Sequence, residues 1–315
     1  MAEIVLGFAS SHGPTMNTPP EEWLELGKTD LDDVRYDFQA ALDNAKPGMA
    51  DELTSEKFQE RYDAVQAGIR VVSDVLHEAA PDVVAVFSNP HGGVAPDRMQ
   101  PTFGIHLNDP PPLTRASGAQ PEPDPAKGGG DKNEYPTDGD LARHLMEGLI
   151  EEGFDVAASF QSRPGAGLDS AYNLLYQQFD RDVSMPYLPI LVSRYLPNQA
   201  TPRRAYQFGQ AVRRVIERWD SPKRVAIMGS GGLSHQIIDE ELDRSVIAAL
   251  EQGDTEALFA IDRQRLNAAP GTPEILNWLA CAGAMAPATM TLIDYVPCYR
   301  SMAGTGHGNT FGYWR

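Results

Sequence analysis

Residues 54–93 read TSEKFQERYDAVQAGIRVVSDVLHEAAPDVVAVFSNPHGG and carry the strongest signal for the fold class. The first part predicts one long helix, because apolar residues recur at steps of three and four and so share one helical face. These residues are Phe58, Tyr62, Val65, Ile69, Val72 and Val75. Residues 83–87 are apolar and mostly β-branched, which predicts a buried strand that ends at the Ser, Asn, Pro and Gly residues after it. A helix leading into a buried strand is typical of α/β proteins.

The same alternation extends along the rest of the chain. Further strands are predicted at 4–9, 154–159, 187–192, 225–228 and 291–295. Further helices are predicted at 140–152, near 170–180, and at 201–219, 238–250, 254–263 and 272–284. Strands separated by helices predict a single α/β domain with a mostly parallel central sheet flanked by helices.

One segment, residues 107–140, departs from this pattern because it is rich in proline and glycine and poor in apolar residues. It predicts a loop insertion within one domain that spans residues 1–315, since strand and helix alternation resumes directly after it. Long loops inside compact domains are usually lids or surface tips, and the sequence leaves both possibilities open.

The composition excludes several classes of function. The chain has 315 residues, with 26 basic and 44 acidic side chains and a net charge of −18, so nucleic acid and anionic membranes are poor partners. No apolar stretch reaches 18 residues, and the start Met1-Ala2-Glu3 lacks the positive charge of a signal peptide. We therefore expect a cytoplasmic protein. Two cysteines, Cys281 and Cys298, predict reduced, buried thiols rather than disulfides or a zinc cluster.

Three histidines share a context that indicates a functional site. His12, His91 and His235 each lie in a loop of small residues directly after a predicted apolar strand. Because ligands of open α/β sheets bind at the carboxyl ends of the strands, these imidazoles are expected to converge. Any one of them could simply be a loop histidine bonded to the backbone, but three in the same context favour a site.

A carboxylate that could join these imidazoles is Glu274, in Gly271-Thr272-Pro273-Glu274. The pattern predicts Thr272 as the N-cap of a helix, with Pro273 at the first helical position and Glu274 in the first turn. The helix dipole there favours an ionised carboxylate, which suits a cation, although Glu274 could also serve only to complement the dipole. Two histidines and one carboxylate hold either non-haem Fe(II) or catalytic zinc, so the residue types leave the metal open.

The remaining candidates are weaker. His106 follows the segment 102–105 and is either a pocket residue that contacts substrate or a structural histidine. His307 lies in the tail 303–308, which either folds over a cleft or is disordered. The glycine-rich stretch 229–232 matches no phosphate-binding motif. Its flexible backbone instead allows His235 to lie close to a bound substrate.

Four motifs together resemble the class III, or LigB-type, extradiol ring-cleavage dioxygenases. This superfamily includes the protocatechuate 4,5-dioxygenase β subunit and the gallate and 3-O-methylgallate dioxygenases. In the family's order, the motifs are Ser11-His12-Gly13-Pro14, Asn89-Pro90-His91, Gly231-Gly232-Leu233-Ser234-His235-Gln236 and Glu274-Ile275-Leu276-Asn277-Trp278. They span nearly the whole chain, and the third is the most specific.

The resemblance implies a LigB-like dioxygenase fold in which His12, His91 and Glu274 bind Fe(II) and His235 is the acid/base residue. The implied reaction is extradiol cleavage of a small aromatic diol by O2, giving a muconic semialdehyde-type product without an organic cofactor. Two alternatives stay open: a binding or redox protein of the same superfamily without dioxygenase activity, and a zinc-dependent hydrolase that uses the same ligands.

The chain departs from the family pattern at two motifs. Asp169-Ser170 stands where the family commonly has Asp-His, so Ser170 or Tyr172 is predicted to hydrogen-bond the substrate instead. Pro90 replaces the acidic residue of the usual Asn-Asp-His, which removes a carboxylate that could orient His91.

We expect the protein to form a homo-oligomer, the usual state of soluble enzymes.

Overall fold

The structure, a computed structural model, describes residues 1–89, 100–107, 113–115, 134–159, 167–168, 174–182 and 184–315. The strands are β1 (Glu3–Ser10), β2 (Val83–Ser88), β3 (Phe103–His106), β4 (Leu113–Arg115), β5 (Glu134–Tyr135), β6 (Ala157–Ser159), β7 (Gly167–Leu168), β8 (Tyr187–Val192), β9 (Arg224–Ser230), β10 (His235–Ile237), β11 (Thr291–Tyr299) and β12 (Thr305–Trp314). The helices are α1 (Trp23–Lys28), α2 (Phe38–Asp43), α3 (Ser55–Ala79), α4 (Gly139–Glu151), α5 (Pro202–Glu217), α6 (Glu240–Gln252), α7 (Thr255–Phe259), α8 (Arg263–Leu266) and α9 (Ile275–Met285).

The central sheet confirms the predicted fold class. Its strand order within the described residues is β10-β12-β1-β9-β2-β8-β3-β6, and β11 pairs with β12 off this path. The middle of the sheet is parallel, because β1, β9, β2 and β8 all run in the same direction. Helices cover both faces, as expected for parallel strands that are apolar throughout. The fold is therefore α/β, with a parallel centre flanked by helices.

The C-terminal strands extend this sheet beyond the prediction. The strand predicted at 291–295 continues to Tyr299, and the chain then turns back as β12, which pairs antiparallel with β1, β10 and β11. The tail 303–308 is therefore part of the sheet, because β12 begins at Thr305. The sequence missed β12 because its glycines and polar residues hide the alternation of a strand, although nearly all of it is buried.

The strand β2 shows how the sheet is held between two apolar layers. Phe87 points to the layer that contains Phe208 of α5, and the two ring centroids lie 6.0 Å apart. Val86 points to the opposite layer, in which Ile69 and Val72 of α3 are buried. The amphipathic face predicted for 54–80 is therefore the face that α3 packs against the sheet.

The helix α9 is buried along its whole length and carries Glu274 into the protein. It packs closely on α5, because a Cβ on Gly209 would overlap the backbone oxygen of Ala280. The predicted N-cap at Thr272 is wrong: a short 3₁₀ turn, Thr272–Glu274, leads into α9 and is preceded by Gly271. A Cβ on Gly271 would overlap the His235 imidazole, so the turn begins at a glycine that lets this ring pack.

The predicted Pro/Gly-rich insertion, 107–140, lies largely outside the described residues. Its described parts include β4 and β5, which form a small separate sheet with β7. The helix predicted near 170–180 is described only from residue 174, where one helical turn spans Leu175–Phe179. Among the described helices, none is both long and apolar enough to cross a membrane.

Candidate active site

The carboxyl ends of the parallel strands bring the candidate residues to one edge of the sheet. His12 follows β1, Arg194 follows β8, and the loop 231–234 leads from β9 to His235, the first residue of β10. These strands lie in one parallel block, so their ends meet at the same edge. A cavity of about 460 Å³ opens there, and His12, Arg194, His235 and His307 contribute to its lining.

The carboxylate of Glu274 is the centre of this cluster. Its Oε2 lies 3.1 Å from His12 Nε2 and 3.5 Å from His235 Nε2. Its Oε1 accepts a hydrogen bond of 2.6 Å from Arg194. The Glu274 side chain is 0% exposed and that of Arg194 5%, so this is a buried ion pair with two imidazoles beside it.

The loop after β9 is shaped to admit this carboxylate. Gly231 has a φ of +99°, and a Cβ there would overlap Glu274 Oε2, so glycine is required both for the backbone and for the space. The next residue, Gly232, donates its N–H to Glu274 Oε2 at 3.2 Å. The side chains of Asn277 and Trp278 donate to the carbonyl oxygens of residues 230 and 231, which ties α9 to the loop.

Hydrogen bonds fix the orientation of both imidazoles toward Glu274. His12 Nδ1 shares a hydrogen bond of 3.1 Å with Ser230 Oγ, so Nε2 is the nitrogen that faces the carboxylate. His235 Nδ1 lies 3.1 Å from the backbone oxygen of Leu233 and must be the donor, because a carbonyl oxygen only accepts. The neutral His235 ring therefore carries its lone pair on Nε2, where it can take a proton.

Burial and charge set the protonation states of the cluster. Burial raises the pKa of Glu274, but the interactions with the His12 and His235 imidazoles and with the Arg194 guanidinium outweigh burial and hold this pKa well below its usual range. Burial lowers the pKa of His235, and this effect outweighs the nearby Glu274 carboxylate, which raises it. The site thus combines an ionised carboxylate with an imidazole that is neutral near pH 7.

The chemistry and spacing of these donors fit a metal ion. Two ligands that bind one ion at about 2.1 Å on adjacent positions lie about 3 Å apart, close to the 3.1 Å between His12 Nε2 and Glu274 Oε2. The described residues alone contain no group of three histidine, cysteine, aspartate or glutamate side chains arranged to hold a metal. His91, the third ligand implied by the family resemblance, lies outside the described residues.

A second buried carboxylate anchors the loop that leads to His235. Asp243 of α6 accepts hydrogen bonds from the backbone N–H and the hydroxyl of Ser234, at 2.8 and 2.7 Å, and from the hydroxyl of Tyr295 at 2.8 Å. Burial raises the pKa of Asp243 to about 7. The position of His235 therefore depends on contacts with α6 and β11.

The structure brings together three of the predicted residues: His12, His235 and Glu274. Three others, His91, Ser170 and Tyr172, lie outside the described residues. His106 is buried in β3, where Nδ1 lies 3.2 Å from Ser159 Oγ and burial lowers its pKa to about 4. His106 does not belong to the described lining of the cavity.

Two residues of the site were not predicted. Arg194 occupies the same kind of position as His12, two residues after a buried parallel strand, but solvated arginines share this position, so the sequence alone does not single it out. His307 was left open because its strand was not recognised. Its ring stacks on that of His235, with centroids 4.2 Å apart.

Comparisons with known proteins identify the family of the chain. A sequence profile of the family described as the catalytic LigB subunit of aromatic ring-opening dioxygenase matches residues 47–311. A 2,3-dihydroxyphenylpropionate/2,3-dihydroxicinnamic acid 1,2-dioxygenase of Cupriavidus necator is 36% identical over 101 residues, 32% of this chain and 31% of that protein. A protein of the same name from Mycobacterium sp. (strain MCS) is 28% identical over 201 residues, 62% of this chain and 56% of that protein.

The chain matches about a third to just over half of the length of these curated relatives. Among solved structures, an uncharacterized protein of Escherichia coli K12 aligns with a TM-score of 0.49 and 12% identity, over 98% of this chain and 99% of that one.

Proposed function

Since the chain belongs to the family of catalytic LigB subunits of aromatic ring-opening dioxygenases, we propose that it cleaves the ring of a catecholic compound next to its two hydroxyl groups. Both atoms of O2 enter the product, a muconic semialdehyde-type compound. The observation that carries this proposal is the convergence of His12 Nε2 and His235 Nε2 on the buried carboxylate oxygen of Glu274 at the edge of a cavity.

In this proposal His12, Glu274 and His91 hold Fe(II). When bound, Fe(II) supplies open positions for the two substrate oxygens and for O2, and a route for electrons from the ring to O2. His12 is held for this task through its bond to Ser230, and Glu274 through its bonds to Arg194 and Gly232. Such outer contacts orient metal ligands and keep them from rotating away.

His235 acts as the acid/base residue. Its Nδ1–H is held by the backbone oxygen of Leu233, so Nε2 is the atom that takes a proton from a substrate hydroxyl. Burial keeps the ring neutral near pH 7, which is the state that can accept that proton. The same Nε2–H can later return the proton to an oxygen of the opening ring.

The test is a substrate panel assayed with O2. The protein is loaded anaerobically with Fe(II) and offered catechols, gallates, aminophenols and 3-(2,3-dihydroxyphenyl)propionate, after which ring-opened chromophores and oxygen uptake are recorded. The proposal expects a yellow product and one O2 consumed per ring for at least one member. No product and no uptake across the panel would overturn it.

Site variants separate the two roles. His12→Ala and Glu274→Ala are expected to lose bound iron, whereas His235→Phe should keep iron and lose turnover by about 100-fold or more. His77→Ala, a change at an exposed residue on α3, is the control and should retain both properties. Activity with zinc that persists without O2 would instead indicate the hydrolase.

A further inference from the structure

His307 is held against the proposed acid/base residue by strand pairing. β12 runs antiparallel to β10, and His307 lies directly opposite His235 in that pairing. Residues opposite each other in a sheet project to the same side, and the two imidazole rings stack with an angle of 18° between their planes. The C-terminal hairpin therefore brings a further imidazole to the site.

This imidazole fits closely in its place. His307 is 3% exposed and lines the same cavity as His12 and His235. A Cβ on Gly13, directly after His12, would overlap the His307 ring. The ring is thus confined between His235 on one side and the loop after β1 on the other.

The Nε2 atom of His307 is buried and has no hydrogen-bond partner among the described residues. A buried polar atom without a partner costs about 1–3 kcal/mol, so such an atom beside a cavity is expected to bond to water or to a polar atom of a bound ligand. Two cationic side chains that line the same cavity are already engaged: Arg300 donates to Asp30 at 2.6 Å, and Arg35 donates to Asp33 at 2.8 Å.

We propose that His307 is a second active-site histidine with two tasks: Nε2 forms a hydrogen bond with an oxygen of the bound aromatic substrate, and the ring face holds the His235 imidazole in its working orientation. This inference rests on the proposed function for the identity of the substrate. It assigns His307 as a substrate-contacting and positioning residue in a chain that has Ser170 where the family commonly has a histidine.

Two variants divide these tasks. His307→Phe keeps a flat ring against His235 but removes the hydrogen bond, so KM for the best panel substrate should rise about fivefold with kcat within twofold. His307→Gln keeps a polar group near the Nε2 position but removes the stacked ring, so kcat should fall about tenfold with KM within twofold. His144→Phe, the same change at a histidine stacked on Trp219, is the matched control and should leave both constants unchanged.

The outcomes are distinguishable. A wild-type KM in His307→Phe overturns the hydrogen bond, and a wild-type kcat in His307→Gln overturns the positioning role. If His307→Phe does not fold, His307→Asn replaces it, since its amide is too short to reach the Nε2 position and KM should rise in the same way. Calorimetric binding of 3,4-dihydroxybenzoate provides a readout without turnover.

If the wild-type protein cleaves no panel member, the proposed function fails, and this calorimetry decides on His307 by itself. A dissociation constant about fivefold weaker in His307→Phe than in wild type would support the contact. Equal constants, or no binding by wild type at all, would overturn it.

Discussion

Replacing Arg194 by methionine should destabilise the protein strongly, because it leaves the Glu274 carboxylate buried without its cation. Two unit charges about 4 Å apart attract by about 4 kcal/mol at an effective dielectric constant of about 20. Removal of one partner from a buried pair costs about 3–5 kcal/mol. Glu274 Oε2 keeps His12, His235 and the Gly232 N–H as neighbours, so we expect a value at the lower end, about 3 kcal/mol.

The assay is urea denaturation of chelator-treated protein at pH 7, with the free energy of unfolding taken from the linear dependence on urea. Lys57→Met is the matched control, because Lys57 forms an exposed pair with Glu60 at 3.0 Å and should cost less than about 1 kcal/mol. In the double variant with Glu274→Gln, the uncompensated charge is gone, so much of the loss should be regained.

Two results would refute this reasoning. A loss below about 1 kcal/mol in Arg194→Met would mean that the carboxylate does not depend on the guanidinium. A double variant as unstable as the sum of the two single variants would mean that the residues contribute independently, which would contradict the buried hydrogen bond between them.

Three further predictions concern the surrounding structure. Gly231→Ala should lose bound iron, measured as metal per chain, because its Cβ would overlap Glu274 Oε2; full iron content would contradict the geometry. Asp243→Asn should remove a decline in stability as the pH rises from about 4 to 7. Because its pKa is raised, Asp243 keeps a proton in the folded state that the unfolded chain releases, which lowers the free energy of unfolding by at most about 4 kcal/mol. Equal slopes of the free energy of unfolding against pH in wild type and variant between pH 4 and 7 would refute this prediction. Gly209→Ala should lower the free energy of unfolding by about 1–3 kcal/mol because its Cβ would overlap Ala280 O, and an unchanged urea midpoint would contradict that packing.

The parallel centre of the fold could be predicted because its signals are local. The strand 83–87 is a continuous apolar run, and in the helix before it the apolar residues recur with the helical period. The secondary structure of each segment can therefore be predicted from its own residues. The placement of His12 and His235 followed from the same signals, since both residues come directly after such strands. Glu274 could be proposed because Pro273 marks the start of a helix, although the capping residue was wrong.

The contributions of Arg194 and His307 could not be derived in the same way, for two different physical reasons. An arginine after a strand is usually a solvated surface residue, and only the partner that it meets 80 positions later in the chain distinguishes Arg194. β12 is stabilised by its neighbours on both sides rather than by its own propensity, because glycine weakens an isolated strand.

The glycines that hide β12 are also what allows it to bring His307 into the site. Gly306 has a φ of +152° and lies so close to β11 that a Cβ would overlap the backbone of Cys298, while a Cβ on Gly308 would overlap Asp243. Larger residues at these positions would push β12 away from β11 and α6, and the His307 ring would move away from His235 with it. The same glycines that weaken the strand signal of β12 are therefore required for its close packing on β11 and α6. The stacking of His307 on His235 depends on that packing.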